Sequence, residues 1–236
     1  MLGRAPVIRR QEDGLVSTML RVIVVTVVAL IAPAAASAEN LYAAVRGGPG
    51  VTTDTTRFSL LGGEEIIEFK TGFAGSGALG YRFPFGLRAE AELGYLYSPL
   101  SRAGEVDVSG SIKSYLVMVN AYYDLKIPAL GPFKPYVGFG LGGARVHNDH
   151  EVPFRCLVCL IGGSGEAPKL RLDEWRTAFA YQARGGMIYD VNPWLDLSLG
   201  YRYVHVGGGH VGEGPLRVDL GPIRNHSVEL GFAIKF

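Results

Sequence analysis

The 236-residue sequence holds two cysteines, Cys156 and Cys159. A lone Cys-x2-Cys pair cannot supply the cross-linked framework of a small disulfide-rich protein, so the chain folds by other means. Charge is also scarce. Asp, Glu, Lys and Arg make up 19% of residues and the net charge is +1; soluble domains carry about 25%. A near-neutral chain offers no electrostatic footprint for nucleic acid, which excludes that partner class on bulk charge. After residue 38, no stretch reaches the roughly 20 apolar residues that a helical membrane span needs. Nor does any later segment repeat its apolar residues with a helical period. If the chain crosses a membrane, it does so as strands.

What the sequence has in quantity is glycine, 33 of 236 residues, with 12 tyrosines and 11 phenylalanines. Average glycine usage is about 7%, so the excess is about twofold. The closing segment is the most informative part. Val228, Leu230, Phe232, Ile234 and Phe236 are large and apolar, and they alternate with Ser227, Glu229, Gly231, Ala233 and Lys235. A period of two marks a strand with one apolar and one polar face. Five large apolar side chains on one face of a terminal strand are rare in soluble proteins. They are routine in transmembrane β-barrels, whose strands alternate lipid-facing and lumen-facing residues.

The N-terminus has the form of an export signal. Met19-Leu20-Arg21 precedes an apolar run from Val22 to Ala32, Pro33 breaks it, and Ala36-Ser37-Ala38 fits the A-x-A cleavage pattern. Residues 1–18 form a charged prefix with Arg4, Arg9 and Arg10, so Met19 is an alternative start. The expected division is a signal peptide over 1–38 and one β-barrel over 39–236. Mass spectrometry of the exported protein is expected to find Glu39 as its first residue. A membrane-bound species that retains Val22–Ala32 would contradict this.

The rest divides into eight alternating segments, expected as strands over 40–47, 67–82, 86–98, 112–125, 135–147, 174–190, 195–206 and 225–236. The links Phe83–Phe85, Lys126–Lys134 and Val191–Trp194 are short. Gly48–Ile66, Pro99–Ser111, Asn148–Asp173 and Gly207–Arg224 are long. Gly47-Gly48-Pro49-Gly50 and Gly62-Gly63 read as turn chemistry. An even strand count with short turns at one end and long loops at the other is the outer-membrane pattern. The fold class is therefore all-β: an eight-stranded antiparallel transmembrane β-barrel.

The alternation assigns faces. Leu87, Ala89, Ala91, Leu93, Tyr95 and Tyr97 oppose Arg88, Glu90, Glu92 and Gly94. Leu195, Leu197, Leu199, Tyr201 and Tyr203 oppose Asp196, Ser198, Gly200 and Arg202. Trp175, Phe179, Tyr181, Met187 and Tyr189 oppose Ala178, Gln182, Arg184 and Ile188. Segment 115–125 is mixed, with Asn120 and Asp124 turned inward beside Leu116, Met118 and Tyr122. Phe83, Phe85, Phe133, Tyr136, Tyr189 and Trp194 flank the short turns. Phe69, Tyr95, Tyr97, Trp175, Tyr201 and Tyr203 lie toward the long loops. Amphipathic rings favour headgroup depth, so two such belts suit a membrane barrel.

Five stretches, in order, carry a family resemblance: Gly72-Phe-Ala-Gly-Ser-Gly-Ala-Leu-Gly-Tyr-Arg82, Asn120-Ala-Tyr-Tyr-Asp124, Pro135-Tyr-Val-Gly-Phe-Gly-Leu-Gly-Gly143, Leu199-Gly-Tyr-Arg-Tyr203 and the closing strand with His226-Ser227. The chain resembles the outer-membrane protein β-barrel family, the small porin-like and opacity-type surface antigens of Gram-negative bacteria. The resemblance implies integral outer-membrane location, with membrane lipid, periplasmic chaperones and the barrel assembly machinery as partners. It also implies that Phe236 anchors the assembly signal. Removing Phe236 is expected to lower outer-membrane levels, as read by fractionation and immunoblotting. Unchanged levels would remove Phe236 from that role. The family is a fold and location class, so it implies little chemistry.

The inward charges are expected to be Arg46, Lys70, Arg82, Arg88, Arg184, Arg202 and Lys235 against Glu90, Glu92, Asp124, Asp196 and Glu229. An eight-stranded barrel is just wide enough for side chains to fill it, and buried charges must pair. Arg88, Glu90, Glu92, Arg184, Arg202 and Glu229 are expected to form a lumen charge network that plugs the barrel. A narrow polar conduit is the alternative. Paired carboxylate catalysis by Glu90 and Glu92 is disfavoured, since basic neighbours would keep both ionised.

Cys156 and Cys159 lie in the long loop after the fifth strand. An oxidising compartment makes a disulfide between them the default. His147 and His150 stand just upstream, so a zinc site is the competing reading, though the spacer is short for one. No free thiols are expected in denatured, unreduced protein; two thiols with bound zinc would favour the metal. His226-Ser227 invites comparison with barrel lipid hydrolases, but neighbours on a strand point to opposite faces. His205 and His210 bracket three glycines and read as a loop base. The sequence thus points to a non-enzymatic barrel without cofactor, expected as a monomer, with a structural or surface role: envelope integrity, adhesion or antigen display toward a host or envelope ligand. A small-solute porin and a lipid-modifying enzyme are the alternatives.

Overall fold

A computed structural model describes residues 40–53, 58–60, 63–65, 67–69, 71–103, 109–153, 169–211 and 218–236. Eight long strands make the barrel: β1 Leu41–Thr52, β2 Gly72–Arg82, β3 Leu87–Ala103, β4 Ser109–Asp124, β5 Phe133–Pro153, β6 Lys169–Asn192, β7 Leu195–Val206 and β8 Ile223–Lys235. Each is antiparallel to its sequence neighbour, and β1 pairs with β8 to close the ring. Closure matters because lipid offers no hydrogen bonds to an open strand edge. Phe236 N–H donates to the Leu41 carbonyl at 2.9 Å, so the first and last strands meet at the short-turn end.

Local sequence sets the short turns. Pro84 fixes one backbone angle after β2, while Phe85 and Gly86 adopt positive φ of 69° and 87°. A Cβ on Gly86 would lie 2.5 Å from the Asp124 carbonyl oxygen, so glycine is required there on two counts. Between β6 and β7, the Asn192 side-chain oxygen accepts from the Trp194 and Leu195 N–H groups at 2.9 and 2.8 Å. This is an Asx turn that ends one strand and starts the next.

Several strands run further than the alternation indicates. β1 continues through Gly47-Gly48-Pro49-Gly50, expected as a turn, and these residues pair with Gly75, Ala74, Phe73 and Gly72 of β2. The glycines serve close packing: a Cβ on Gly48 would sit 1.9 Å from the Val228 carbonyl oxygen. Pro49 has no N–H to donate, and the pairing with β8 skips from Gly47–Leu230 to Gly50–Ser227 around it. Segment 67–82 is two strands, not one: Ile67–Phe69 is separate and pairs with the far end of β3.

Where the long links are described, they are largely hairpin. β5 and β6 stay paired out to Pro153 and Lys169. Gly209–Val211 pairs with Val218–Leu220, and Phe58–Leu60 with Gly63–Glu65. His210 therefore belongs to a short strand and His205 to β7. β6 has 24 residues, whereas a tilted membrane strand needs about 9–11. Cys156, Cys159, Lys70 and the proposed signal over 1–38 lie outside the described residues.

Faces follow the period of two. Val45, Leu79, Leu93, Val137, Phe139, Leu141, Phe179, Leu199, Leu230 and Phe232 are all exposed, Leu93 and Leu79 to 68% and 66%. Together they wrap the barrel in an apolar belt far larger than the few hundred Å² a soluble monomer shows. Phe83, Phe85, Phe133, Tyr189 and Trp194 are exposed at the short-turn end, and Tyr97, Trp175 and Tyr201 toward the other. Tyr136 departs from the expected belt. It is buried and packs edge-on against Tyr122 at 6.0 Å. It shares strand parity with the inward side of β5, so its nearness to a turn does not bring it to the surface.

Candidate functional site in the barrel lumen

Three charged sets stack upward from the short-turn mouth, with an apolar layer above them. At the short-turn mouth, Asp196 takes Lys235 Nζ at 2.6 Å and also pairs with Arg82. Above it, Arg88 donates to Asp124 at 2.9 Å and to the Tyr42 hydroxyl at 3.1 Å. Arg88 also lies over the Tyr122 ring, 4.7 Å from its centre. Glu90 accepts from Tyr42 at 2.5 Å, from Arg46 at 2.5 and 2.9 Å and from Arg88 at 3.3 Å.

The third set centres on Glu92. Arg184 donates to its two oxygens at 2.7 and 3.1 Å, Arg202 donates at 3.0 Å, and Asn120 at 3.0 Å. Glu229 lies 3.2 Å from Arg202 and 3.3 Å from Arg184. Gln182 accepts from Arg202 Nε at 2.7 Å. Arg46, 4.0 Å from Glu92, links this cluster to the Glu90 set. The six residues singled out from sequence fall into these two adjoining clusters: Arg88 with Glu90, and Glu92 with Arg184, Arg202 and Glu229. Arg46 and Asp124, expected only as inward charges, complete them. Tyr42 is the addition that pattern reading missed; its signal was its parity with Ala44 and Arg46.

Toward the long loops the lining turns apolar. Leu96, Leu116, Met118, Ala144, Val146, Ala178, Ala180, Val204 and Val206 form one buried cluster. Thr52, Ser98 and Asn225 join above it through hydrogen bonds of 2.6 and 3.1 Å. The mixed character of segment 115–125 reflects this change of layer, from Leu116 and Met118 down to Asn120, Tyr122 and Asp124.

Glycine makes room for this filling. On β4, Tyr122, Asn120 and Met118 face Gly138, Gly140 and Gly142 of β5 as cross-strand partners. A Cβ on Gly138 would lie 2.1 Å from the Tyr122 ring. Gly80 stands under Tyr42 in the same way, with 2.3 Å available, and Gly200 under Tyr136. A cavity of ≈ 20 Å³ lined by Arg46, Arg82, Arg88, Tyr136, Asp196 and Ser198 remains; that is space for about one water.

His226 and Ser227 lie on opposite faces. The His226 ring packs outside on Tyr203 at 5.0 Å, while Ser227 is buried in the lumen.

A closed ring of eight strands with an apolar outer belt and a polar, side-chain-filled interior defines an integral outer-membrane barrel. The family model for the outer membrane protein beta-barrel domain matches residues 22–236, and the chain belongs to that family. It is 32% identical to an uncharacterized protein of Brucella abortus over 154 residues, covering 56% of this chain and 51% of that protein. It is 33% identical over 151 residues to a Gluconacetobacter diazotrophicus protein described as an outer membrane protein, covering 56% and 35%. The chain thus spans about half the length of the Brucella relatives it matches. Among solved structures it is similar to Neisserial surface protein A, at 22% identity and TM-score 0.49, over 83% of this chain and 97% of that one.

Proposed function

We propose that this barrel is a closed, non-enzymatic outer-membrane scaffold whose work is done at the surface: envelope integrity, adhesion or antigen display by the segments above the membrane. One observation carries the reading. Arg202, Glu90, Glu92, Leu96, Val146 and Val204 are each at most 2% exposed, so the charged layer and the apolar layer over it are both packed. A hydrated ion meets fixed, already paired charges below and an unwettable layer above. The opposed faces of His226 and Ser227 support the non-enzymatic reading. We take the working form as a monomer, since the closed ring leaves no strand edge to pair with a second copy.

Planar-bilayer recording of the folded protein tests this. Silence, or small infrequent openings, is the expected result. Large, stable, solute-passing channels from the monomer would overturn the closed reading in favour of a porin. A change in lipid A mass on expression of the protein would favour a lipid-modifying enzyme.

A further inference from the structure

The outward face at the long-loop end holds a polar patch that the lumen does not use. Tyr181, His205 and Arg224 form one cross-strand row over β6, β7 and β8, and Tyr203 and His226 form a neighbouring one. Tyr181 and His205 stack at 4.7 Å and 19°. The Tyr201 hydroxyl hydrogen-bonds His226 Nδ1, which leaves Nε2 for another partner. Arg224 is exposed, and no carboxylate pairs with it among the described residues. His205 Nδ1 is out of solvent and has no hydrogen-bond partner among the described residues. A polar atom in that state is costly unless a partner satisfies it.

Charge and depth say what covers it. Among the described side chains, the strand carboxylates turn inward: Glu90, Glu92, Asp124, Asp196 and Glu229 are buried, and Asp190 pairs with Lys134. Among the described side chains the patch is therefore cationic without a carboxylate partner. Of the other outward cations, Arg145 on β5 already lies over the Trp175 ring, 4.8 Å from its centre. Ten residues separate Leu195 from His205, and ten separate Ile234 from Arg224. At about 3.3 Å per residue and a tilt of about 40°, ten residues climb about 25 Å, the height of the apolar band of an outer-membrane barrel. The patch stands where headgroups begin, at the outer leaflet.

We propose that Arg224, His205 and His226, with the hydroxyls of Tyr181 and Tyr203, bind the phosphate of an outer-leaflet lipid. The guanidinium and imidazole N–H groups are donors, the Tyr181 and Tyr203 hydroxyls hydrogen-bond each other and leave one O–H to donate outward, and a phosphate presents several acceptor oxygens with negative charge. The aromatic rings bracket the acyl–headgroup boundary, so the ligand is a lipid and not a free anion.

The test uses the exported chain folded in maltoside micelles, which contain no phosphate. Native mass spectrometry counts retained dilauroyl phosphatidic acid, dilauroylglycerol and inorganic phosphate. Phosphatidic acid is expected to be retained about tenfold or more over dilauroylglycerol. One basic group near a membrane surface is worth about 1 kcal/mol, or about fivefold. R224Q alone should therefore lose about fivefold, and R224Q/H205Q about tenfold or more. K126Q, in a turn at the opposite end, should retain the wild-type level, and unchanged heat-shifted gel mobility would show that each variant is folded. Equal retention of the two lipids, or full retention by the folded double variant, would overturn the proposal. Retention of inorganic phosphate as strong as that of phosphatidic acid would overturn the lipid assignment.

Discussion

Replacing Glu92 with leucine is expected to destabilise the folded barrel by about 3–5 kcal/mol, the usual cost of removing one partner from a buried charge cluster. Glu92 is fully enclosed and accepts from Arg184, Arg202 and Asn120 at once. Without it, the two guanidiniums share one remaining carboxylate, Glu229. Leucine fills much of the volume, so the loss reports charge, not a void. Glu229→Lys should behave similarly, since it sets a third cation 3.2–3.3 Å from where Arg202 and Arg184 lie. Urea unfolding in lipid vesicles, followed by the fluorescence of Trp175 and Trp194, measures the shift. A change below about 1 kcal/mol, the scale of an exposed ion pair, would show that the cluster is not the tightly packed one described here.

Ending the chain at Asn225 should abolish outer-membrane insertion. That truncation removes nearly all of β8, which pairs with β1 from Tyr42 to Thr52 and with β7 from Leu195 to Val206. Two facing edges would then present unpaired N–H and C=O groups to hydrocarbon, at several kcal/mol each. No rearrangement of seven strands satisfies both edges without shifting every lumen contact. Cell fractionation with heat-modifiable gel mobility checks this. Normal insertion of the truncated chain would be incompatible with closure between β1 and β8.

Faces were the most legible feature of the sequence, because a membrane barrel enforces the period of two on every strand. Arg88, Glu90 and Glu92 interleaved with Leu87, Ala89 and Ala91 could be placed without any knowledge of their partners. The pairing itself was not legible: Glu92 is 92 residues from Arg184 and 110 from Arg202 along the chain. The apolar upper layer was hidden for a different reason. Where Leu96, Val204 and Val206 fill the lumen, their outward neighbours are Tyr95, Tyr97, Tyr203 and His205, so the inward face is the more apolar one and alternation no longer marks inside from outside. Strand ends were read short because proline and glycine normally punctuate strands. At Gly47–Gly50 they serve close packing, and at Pro99 the strand runs on to Ala103. Above the lipid, polar hairpin and polar loop have the same composition. Cys156 and Cys159 lie outside the described residues.

The glycines under Tyr42, Tyr122 and Tyr136 have an evolutionary corollary. At a given height the lumen holds a fixed volume, and this chain assigns the bulk to one strand and the vacancy to its neighbour. Gly138→Ala alone collides with Tyr122, and Tyr122→Ala alone leaves a hole, yet the two roles could be exchanged across β4 and β5 with the total nearly preserved. Substitutions at such paired sites should therefore be strongly epistatic: each harmful alone, tolerated together. Drift in this interior would proceed by swaps between strands, so a related barrel could keep the same plug while sharing few identical residues along its inward faces.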